Sequence, residues 1–281
     1  MSIPAPLRPF VTDLTAYDVV YAQGAGVHVG MPSTSLTFVL PLGEPLDVSW
    51  AGAPKSRSTT WASVSGVHDR PAAIHHSGAQ RGVQLTVTAA GSRALFGVPA
   101  RELAGELLDL ADVDPVMGDL PSRLAEAPAA ERIDLVWRAL GDAVVRHDGP
   151  GPRAEVGRAL ALLTRGAGVT AAAEEVGYSR RWLGRLVLDE VGVSPQVLRR
   201  LGRFERSHDL MRRRTTAGSG SLADVAAECG YADHAHMTRE WAALAGCTPS
   251  TWQRKEFPDV QAIATQAVAG WEHPPDAKEL P

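Results

Sequence analysis

A duplicated unit in the last third of the chain limits the possible folds more than any other feature. Ala173-Glu174-Glu175-Val176-Gly177-Tyr178 returns 53 positions later as Ala226-Ala227-Glu228-Cys229-Gly230-Tyr231. Beyond the tyrosines the offset is 54, aligning Arg185 with Arg239, Val187 with Trp241, Gly192 with Gly246, and Ser194-Pro195 with Thr248-Pro249. One inserted residue between Ala232 and Ala235 accounts for the change. Small, aromatic, basic and proline positions recur in phase, so the segment is expected to fold twice in the same way.

Local signals give the shape of each unit. In the first, Thr170 is expected to cap a short helix whose apolar face is Ala171, Ala172, Ala173 and Val176. Gly177 ends it, because glycine enters the left-handed conformation at no steric cost. Ser179 starts a second helix with Leu183, Leu186 and Val187 at helical spacing. An alanine four residues before the turn glycine lets the two helices cross closely. That is a helix-turn-helix, whose second helix enters the DNA major groove. In the second unit Ser221 caps, Val225, Ala226 and Cys229 pack, and Gly230 turns. Met237, Trp241 and Leu244 then point inward. One such unit alone could be an ordinary helical hairpin; two in register, each with an arginine on its second helix, favour DNA binding.

The charge distribution agrees. The net charge of −4 hides a division: residues 1–150 carry 11 Lys+Arg and 16 Asp+Glu, residues 151–257 carry 16 and 12, and the tail from Pro258 carries 1 and 4. Positive charge is concentrated where the repeat lies, which suits phosphate contact by a module attached to an acidic partner domain. No apolar run approaches the roughly 20 residues of a membrane span. Met1 to Pro6 lacks the basic segment and apolar core of a signal peptide. Cys229 and Cys247, the 2 cysteines, read as small core residues in a reducing compartment. A cytoplasmic protein is expected.

Gly177-Tyr178-Ser179 with Leu183 and Arg185, then Gly192-Val193-Ser194-Pro195, Gly230-Tyr231 with Asp233, Thr238-Arg239, and Gly246-Cys247-Thr248-Pro249 resemble the AraC/XylS transcriptional regulators. The resemblance covers roughly residues 156–254. It implies two helix-turn-helix modules joined by a long helix and reading successive major grooves on one face of DNA. The basic stretch Val197 to Met211 fits that helix. Gly184 departs from the family, in which a larger polar residue often reads a base.

The first hundred residues read as short strands separated by Gly and Pro, notably Ala16 to Tyr21, Ser35 to Leu40, Leu46 to Trp50 and Val83 to Thr88. A small barrel or sandwich is expected, followed by a helical turn at Ser92 to Gly97, a helix opened by Pro99, and helix from Leu120 to Arg146. Gly82 to Leu110, and Gly97 to Leu103 above all, also resembles the cupin-like sensor domain in front of some AraC-like modules, which implies effector sensing, dimerisation or both. The fold class is therefore α+β in two domains: residues 1–148 β-rich with a helical end, 149–152 a linker within Asp148 to Pro152, 153–257 the DNA-binding domain, and 258–281 a disordered tail in which Trp271 could serve as a docking anchor.

His68, His75 and His76 with Asp69 are the candidates for a metal site, but adjacent residues of a strand point to opposite faces, which favours surface or loop histidines. Trp50 and Trp61 read as core or as the wall of an apolar pocket. No nucleophile triad, phosphate loop or dinucleotide fingerprint is evident, so neither an enzyme nor a cofactor is expected. The alternatives are a β domain that only oligomerises, or a metal-bearing barrel enzyme with a helical appendage.

Site residues follow from the two recognition helices. Arg180, Arg181, Gly184 and Arg185 are expected to be exposed between buried Trp182-Leu183 and Leu186. Arginine suits guanine, whose N7 and O6 accept two parallel donors, so Arg181 and Arg185 are base-reading candidates. His234, His236 and Arg239 are their counterparts on the second helix. Arg180, Thr238 and Arg212-Arg213-Arg214 are candidates for phosphate. Asp233 suits a helix cap. Arg199, Arg200, Arg203 and Arg206 read as a charged face with local pairs, Glu205 and Asp209 standing near Arg206. Gly218-Ser219-Gly220 reads as a flexible joint. The expected partners are double-stranded DNA, a small-molecule effector, RNA polymerase and a second copy of the chain, with no membrane.

Overall fold

The structure is a computed structural model and describes residues 2–149, 151–217 and 221–254. Pro150 of the linker, the 218–220 joint and the 258–281 tail with Trp271 lie outside the described residues. After a 3₁₀ turn at Ala5–Leu7 come nine strands: β1 (Val11–Val20), β2 (Gly26–Gly30), β3 (Leu36–Pro41), β4 (Leu46–Trp50), β5 (Ala53–Thr60), β6 (Ser63–Ser65), β7 (Ala72–His76), β8 (Ala79–Val87) and β9 (Leu107–Asp109). Helices α1 (Ala89–Phe96), α2 (Leu110–Val113), α3 (Leu120–Glu126) and α4 (Arg132–Arg146) accompany them. The helical half comprises α5 (Ala154–Thr164), α6 (Val169–Glu175), α7 (Arg180–Val191), α8 (Pro195–Ala217), α9 (Leu222–Glu228) and α10 (His234–Ala245). Residues 249–254 are also helical.

The strands form two antiparallel sheets, ordered β1-β8-β3-β6-β9 and β2-β7-β4-β5. The alternation of β3 and β8 gives the five-stranded sheet two unlike faces. Leu36, Phe38 and Leu40 with Val83, Leu85 and Val87 are fully buried in one apolar cluster with Leu95, Phe96, Val136 and Leu140 of α1 and α4. Phe38 meets Phe96 edge to face, with ring centroids 5.9 Å apart. Thr37, Gln84 and Thr86, one residue out of phase on the same strands, face the second sheet across a cavity. Strand residues alternate sides, and here one side is oil and the other polar.

Four strands were legible from alternation; β2, β5, β6, β7 and β9 were not. β2 and β6 are short, β2 is bounded by glycines, and β5 is a polar edge strand, exposed along most of its length. The turn expected at Ser92 starts earlier, capped by Thr88, and the helix expected after Pro99 is a single 3₁₀ turn, Ala100–Glu102. Trp50 is buried against Leu46, Val48 and Ala72. Trp61 is 48% exposed, and so belongs neither to the core nor to a pocket wall.

The repeat is reproduced element by element. α6 and α9 each have 7 residues, and α7 and α10 each have 12. Ala173 and Ala226 are both buried, at 1% exposure, and Gly177 and Gly230 turn with φ of 74° and 79°. Ser179 follows Tyr178 directly as the cap of α7, whereas Asp233 caps α10 two residues after Tyr231, so Ala232 is the inserted residue. One expected cap is corrected. α6 begins at Val169 after Gly168, with no side-chain cap; Thr170 falls inside the helix, past the cap position.

α8 crosses α5 closely at Gly202, where a Cβ would lie 2.3 Å from the carbonyl oxygen of Thr164. A Cβ on Gly184 would meet nothing within 4 Å. Gly202→Ala and Ala226→Leu should therefore each lower stability by about 1–3 kcal/mol through overpacking. Gly184→Ala should raise it by up to about 1 kcal/mol through helix propensity. Urea unfolding of the three variants checks the signs; a neutral Gly202→Ala would contradict the close crossing.

Candidate nucleic-acid interface and inter-sheet cavity

The recognition helices expose unequal faces. On α7, Leu183, Val187, Glu190 and Val191 are buried. At 100° per residue the opposite side is centred on Arg185 and flanked by Arg181, Asp189 and Leu188. Arg180, Arg181 and Arg185 are exposed, and among the described residues none has a hydrogen-bond or ion-pair partner. Trp182, expected inside, is 42% exposed. It lies outside the stripe of Leu183 and Val187, and its backbone N–H donates to Ser179 Oγ at 3.2 Å.

On α10, Met237, Trp241, Leu244 and Ala245 are buried, and Arg239 occupies the place of Arg185. Its neighbours on the exposed face are Ala235, Ala242 and Ala243. His234 is exposed at the helix start, in the position of Arg180, and Thr238 is half-buried. His236 is turned partly inward. Its Nδ1 accepts from the Ala232 N–H at 3.2 Å, and its ring packs edge-on to Tyr231, centroids 5.4 Å apart. Asp233 accepts from the His236 N–H at 2.6 Å, as a cap.

The arginines of α8 divide by direction. Arg203 donates twice to Glu240, at 3.1 and 2.5 Å, and lies over the Tyr231 ring at 4.8 Å. Arg199 donates to the Gly166 carbonyl and Arg206 to that of Thr164. The local pairing expected of Glu205 and Asp209 with Arg206 is thus absent, because Arg206 reaches across to α5. Arg212 and Arg213 are exposed, Arg212 at the edge of the cavity, while Arg214 pairs with Glu228.

The β half grips the helical half at both ends of this frame. Arg93 on α1 donates to the Glu190 carboxylate at 3.1 and 3.0 Å, and Arg101 to the Asp189 carbonyl at 2.9 Å. Both acceptors belong to the C-terminal turn of α7. Glu205 on α8 accepts from Ser33 Oγ at 2.9 Å, the Thr34 N–H at 2.8 Å and Thr34 Oγ1 at 2.6 Å. Burial raises its carboxyl pKa, against those three hydrogen bonds.

Between the sheets lies a cavity of about 630 Å³, closed on one side by Glu205, His208, Asp209 and Arg212 of α8 and by Trp252. Tyr17, Gln84, Ser63, Ser65, Thr37 and Thr86 form much of its polar wall, with Val39, Val48 and Ile74 among the apolar lining. Burial raises the Tyr17 hydroxyl pKa above its ordinary value. The three histidines, expected on the surface or in loops, are not on the surface: His75 and His76 are half-buried in β7. His68 is buried, bonded through Nδ1 to the Arg70 carbonyl at 2.8 Å and tilted against Trp50. His76 stacks on Tyr21, and His75 pairs across the strands with Asp47. Asp69 is exposed. Among the described residues no three metal-ligating side chains converge.

A polar-lined β domain docked on two helix-turn-helix units that present free arginines defines a two-domain DNA-binding regulator. Residues 155–255 match the family described as "Helix-turn-helix domain". That region is an AraC-type helix-turn-helix domain, and the chain is a DNA-binding transcriptional regulator. No curated protein matches the sequence. Among solved structures, an apo form of ToxT from Vibrio cholerae strain SCE256 is 14% identical with a TM-score of 0.51, over 85% of this chain and 95% of that one. The likeness is one of fold. ToxT from Vibrio cholerae O395 bound to (E)-4-(8-methylnaphthalen-1-yl)but-3-enoic acid is 12% identical, TM-score 0.49, over 85% and 97%. A Chromobacterium violaceum transcriptional regulator with an AraC-type DNA-binding domain is 23% identical, TM-score 0.33, over 36% and 93%. No helix among the described residues is long and apolar enough to cross a membrane.

His208 supplies a pH test of this packing. Burial among Phe204, Trp241 and Trp252, with Arg212 adding to it, lowers its pKa from 6.5 to about 4. The folded state favours the neutral ring, so its contribution is complete above 6.5 and is lost as pH falls from 6.5 towards 4. Denaturant midpoints of the wild type and His208→Gln should therefore converge over that interval; a constant difference would show that the ring does not titrate as a buried group.

Proposed function

We propose that this chain is an effector-responsive, sequence-specific regulator in which α7 reads bases, α10 mainly positions the protein on phosphates, and the inter-sheet cavity holds a small molecule. The observation that carries the reading is the pair Arg181 and Arg185, unpartnered among the described residues and set one turn apart on the exposed face of α7. Guanine offers the two acceptors such a side chain needs. α10 has one exposed arginine, Arg239, among alanines, so it carries less sequence information; His234 and His236 contribute at the edge of its face. Arg180, Thr238, Arg212, Arg213 and Arg214 serve phosphates, Arg214 only by sharing its charge with Glu228.

The division runs 1–148 for the sensing part and 153–257 for DNA binding, with 149–152 between. ToxT has been seen with a bound naphthyl-butenoic acid; for this chain the effector role is supported by the volume and polar wall of its own cavity. RNA polymerase and a second copy of the chain complete the partners of this reading, and the cytoplasm is its setting, consistent with two free thiols.

Selection from a random DNA library with the full-length protein should recover two short motifs about one helical turn apart. Arg185→Ala should cost about 1–3 kcal/mol at one base pair of that site and relax the preference there. Equal weakening on every sequence would instead make Arg185 a phosphate contact.

A further inference from the structure

The mouth of the cavity holds a buried acid without a counter-ion. Glu205 lies midway along α8 and lines the cavity. Its three donors, from Ser33 and Thr34, are neutral. Among the described residues no Lys, Arg or His forms an ion pair with it, and the charge that acts on it is that of Asp209, of like sign. Of the neighbouring cations, Arg206 bonds to the Thr164 carbonyl, and Arg212 lines the same cavity. A desolvated carboxylate ordinarily has a cationic partner, since hydrogen bonds from neutral groups recover only part of its lost hydration.

Further in, the side chains of Tyr17, Gln84, Ser63, Ser65 and Thr37 line the same space and have no hydrogen-bond partner among the described residues. Gly82 leaves room for the Tyr17 phenol, since a Cβ there would stand 2.6 Å from its oxygen. The wall therefore offers neutral donors and acceptors that await partners, and the mouth offers net negative charge.

Building on the reading of this cavity as the effector site, we infer that its ligand is a small hydroxylated organic cation whose ammonium or guanidinium group is paired by Glu205 and whose hydroxyls meet the polar wall. An anionic ligand would face two carboxylates, Glu205 and Asp209, against the one guanidinium of Arg212. A purely apolar one would leave the wall unsatisfied.

The test is calorimetric titration of the full-length protein with three compounds of one six-carbon skeleton: glucamine (cation), sorbitol (neutral) and gluconate (anion). Glucamine should bind at least about tenfold more tightly than sorbitol, and gluconate more weakly than either. Glu205→Gln keeps one acceptor oxygen for the Thr34 N–H, lets its amide donate to Thr34 Oγ1 and removes the charge, so it should abolish the preference for glucamine over sorbitol, read as the ratio of the two affinities within that variant. Ser63→Trp, which fills the cavity, should abolish binding of all three. Tightest binding of sorbitol or gluconate, or a glucamine preference that survives Glu205→Gln, would overturn the charge assignment and leave the cavity as an effector site. Glucamine binding that survives Ser63→Trp would place the ligand elsewhere and overturn both. Absence of binding by all three would also overturn the inference.

Discussion

The helical half depends on the buried ion pair between Arg203 of α8 and Glu240 of α10. With side chains only 15% and 6% exposed, neither charge can be left alone: removing one partner of such a pair typically costs about 3–5 kcal/mol, because the other stays desolvated. The pair is bidentate, which fixes the angle as well as the distance between the two helices. Ser207, one turn on, accepts from Trp241 Nε1 at 2.9 Å and lies 3.3 Å from the Tyr231 hydroxyl. Tyr231 in turn carries Arg203 on its ring. Tryptophan, tyrosine, serine and the ion pair thus form one connected polar network inside an apolar core, and it sets how α10 is presented relative to α8.

The two halves of the repeat use one backbone plan for different purposes. Glu190 of α7 occupies the position of Leu244 in α10. Leu244 is core; Glu190 is buried too, but its partner is Arg93 of the β half. The first unit has therefore given an apolar core position to a contact between domains, while the second is closed upon itself and α8. The exposed faces differ in the opposite sense: arginines on α7, alanines around one arginine on α10. The unit that the β domain grips through Arg93 and Arg101 is the one whose exposed face carries Arg181 and Arg185.

Much of this was legible in the chain. The two offsets gave the helices of both units, and the turn glycines, the caps Ser179, Ser221 and Asp233 and the inward residues of α10 have local causes that sequence displays. The errors lie where a tertiary partner decides. Thr170 has the chemistry of a cap, but Gly168 already permits the entry of the chain into α6. Trp182 looked like core by composition, yet it falls outside the stripe of Leu183 and Val187. Glu205 and Asp209 looked like partners of Arg206 by proximity, but Glu205 answers to Ser33 and Thr34, more than 170 residues away, and no local pattern encodes that. In the β half the polar phase of β3 and β8 was visible as alternation. That both phases are enclosed, one by helices and the other by a second sheet, was not, because β2 and β7 carry little signal of their own.

This enclosure links the cavity to the helix-turn-helix units through contacts of known place. Ser33 and Thr34 stand between β2 and β3, at the rim of the cavity, and hold α8 through Glu205. Arg93 and Arg101 hold the last turn of α7, where Gly192 packs so tightly on the β half that a Cβ would lie 2.4 Å from that of Ala104. An occupant that draws on Glu205 competes with Ser33 and Thr34 for the same oxygens. It can change the grip on α8 while that on α7 stays in place, so the two units need not respond equally. A ligand shifts such an equilibrium only by its differential affinity for the gripped and released arrangements. On the proposal that the cavity holds the effector, Glu205 is the group through which that difference would arise, since it belongs at once to the cavity wall, to the contact between domains and to the helix that carries Arg203.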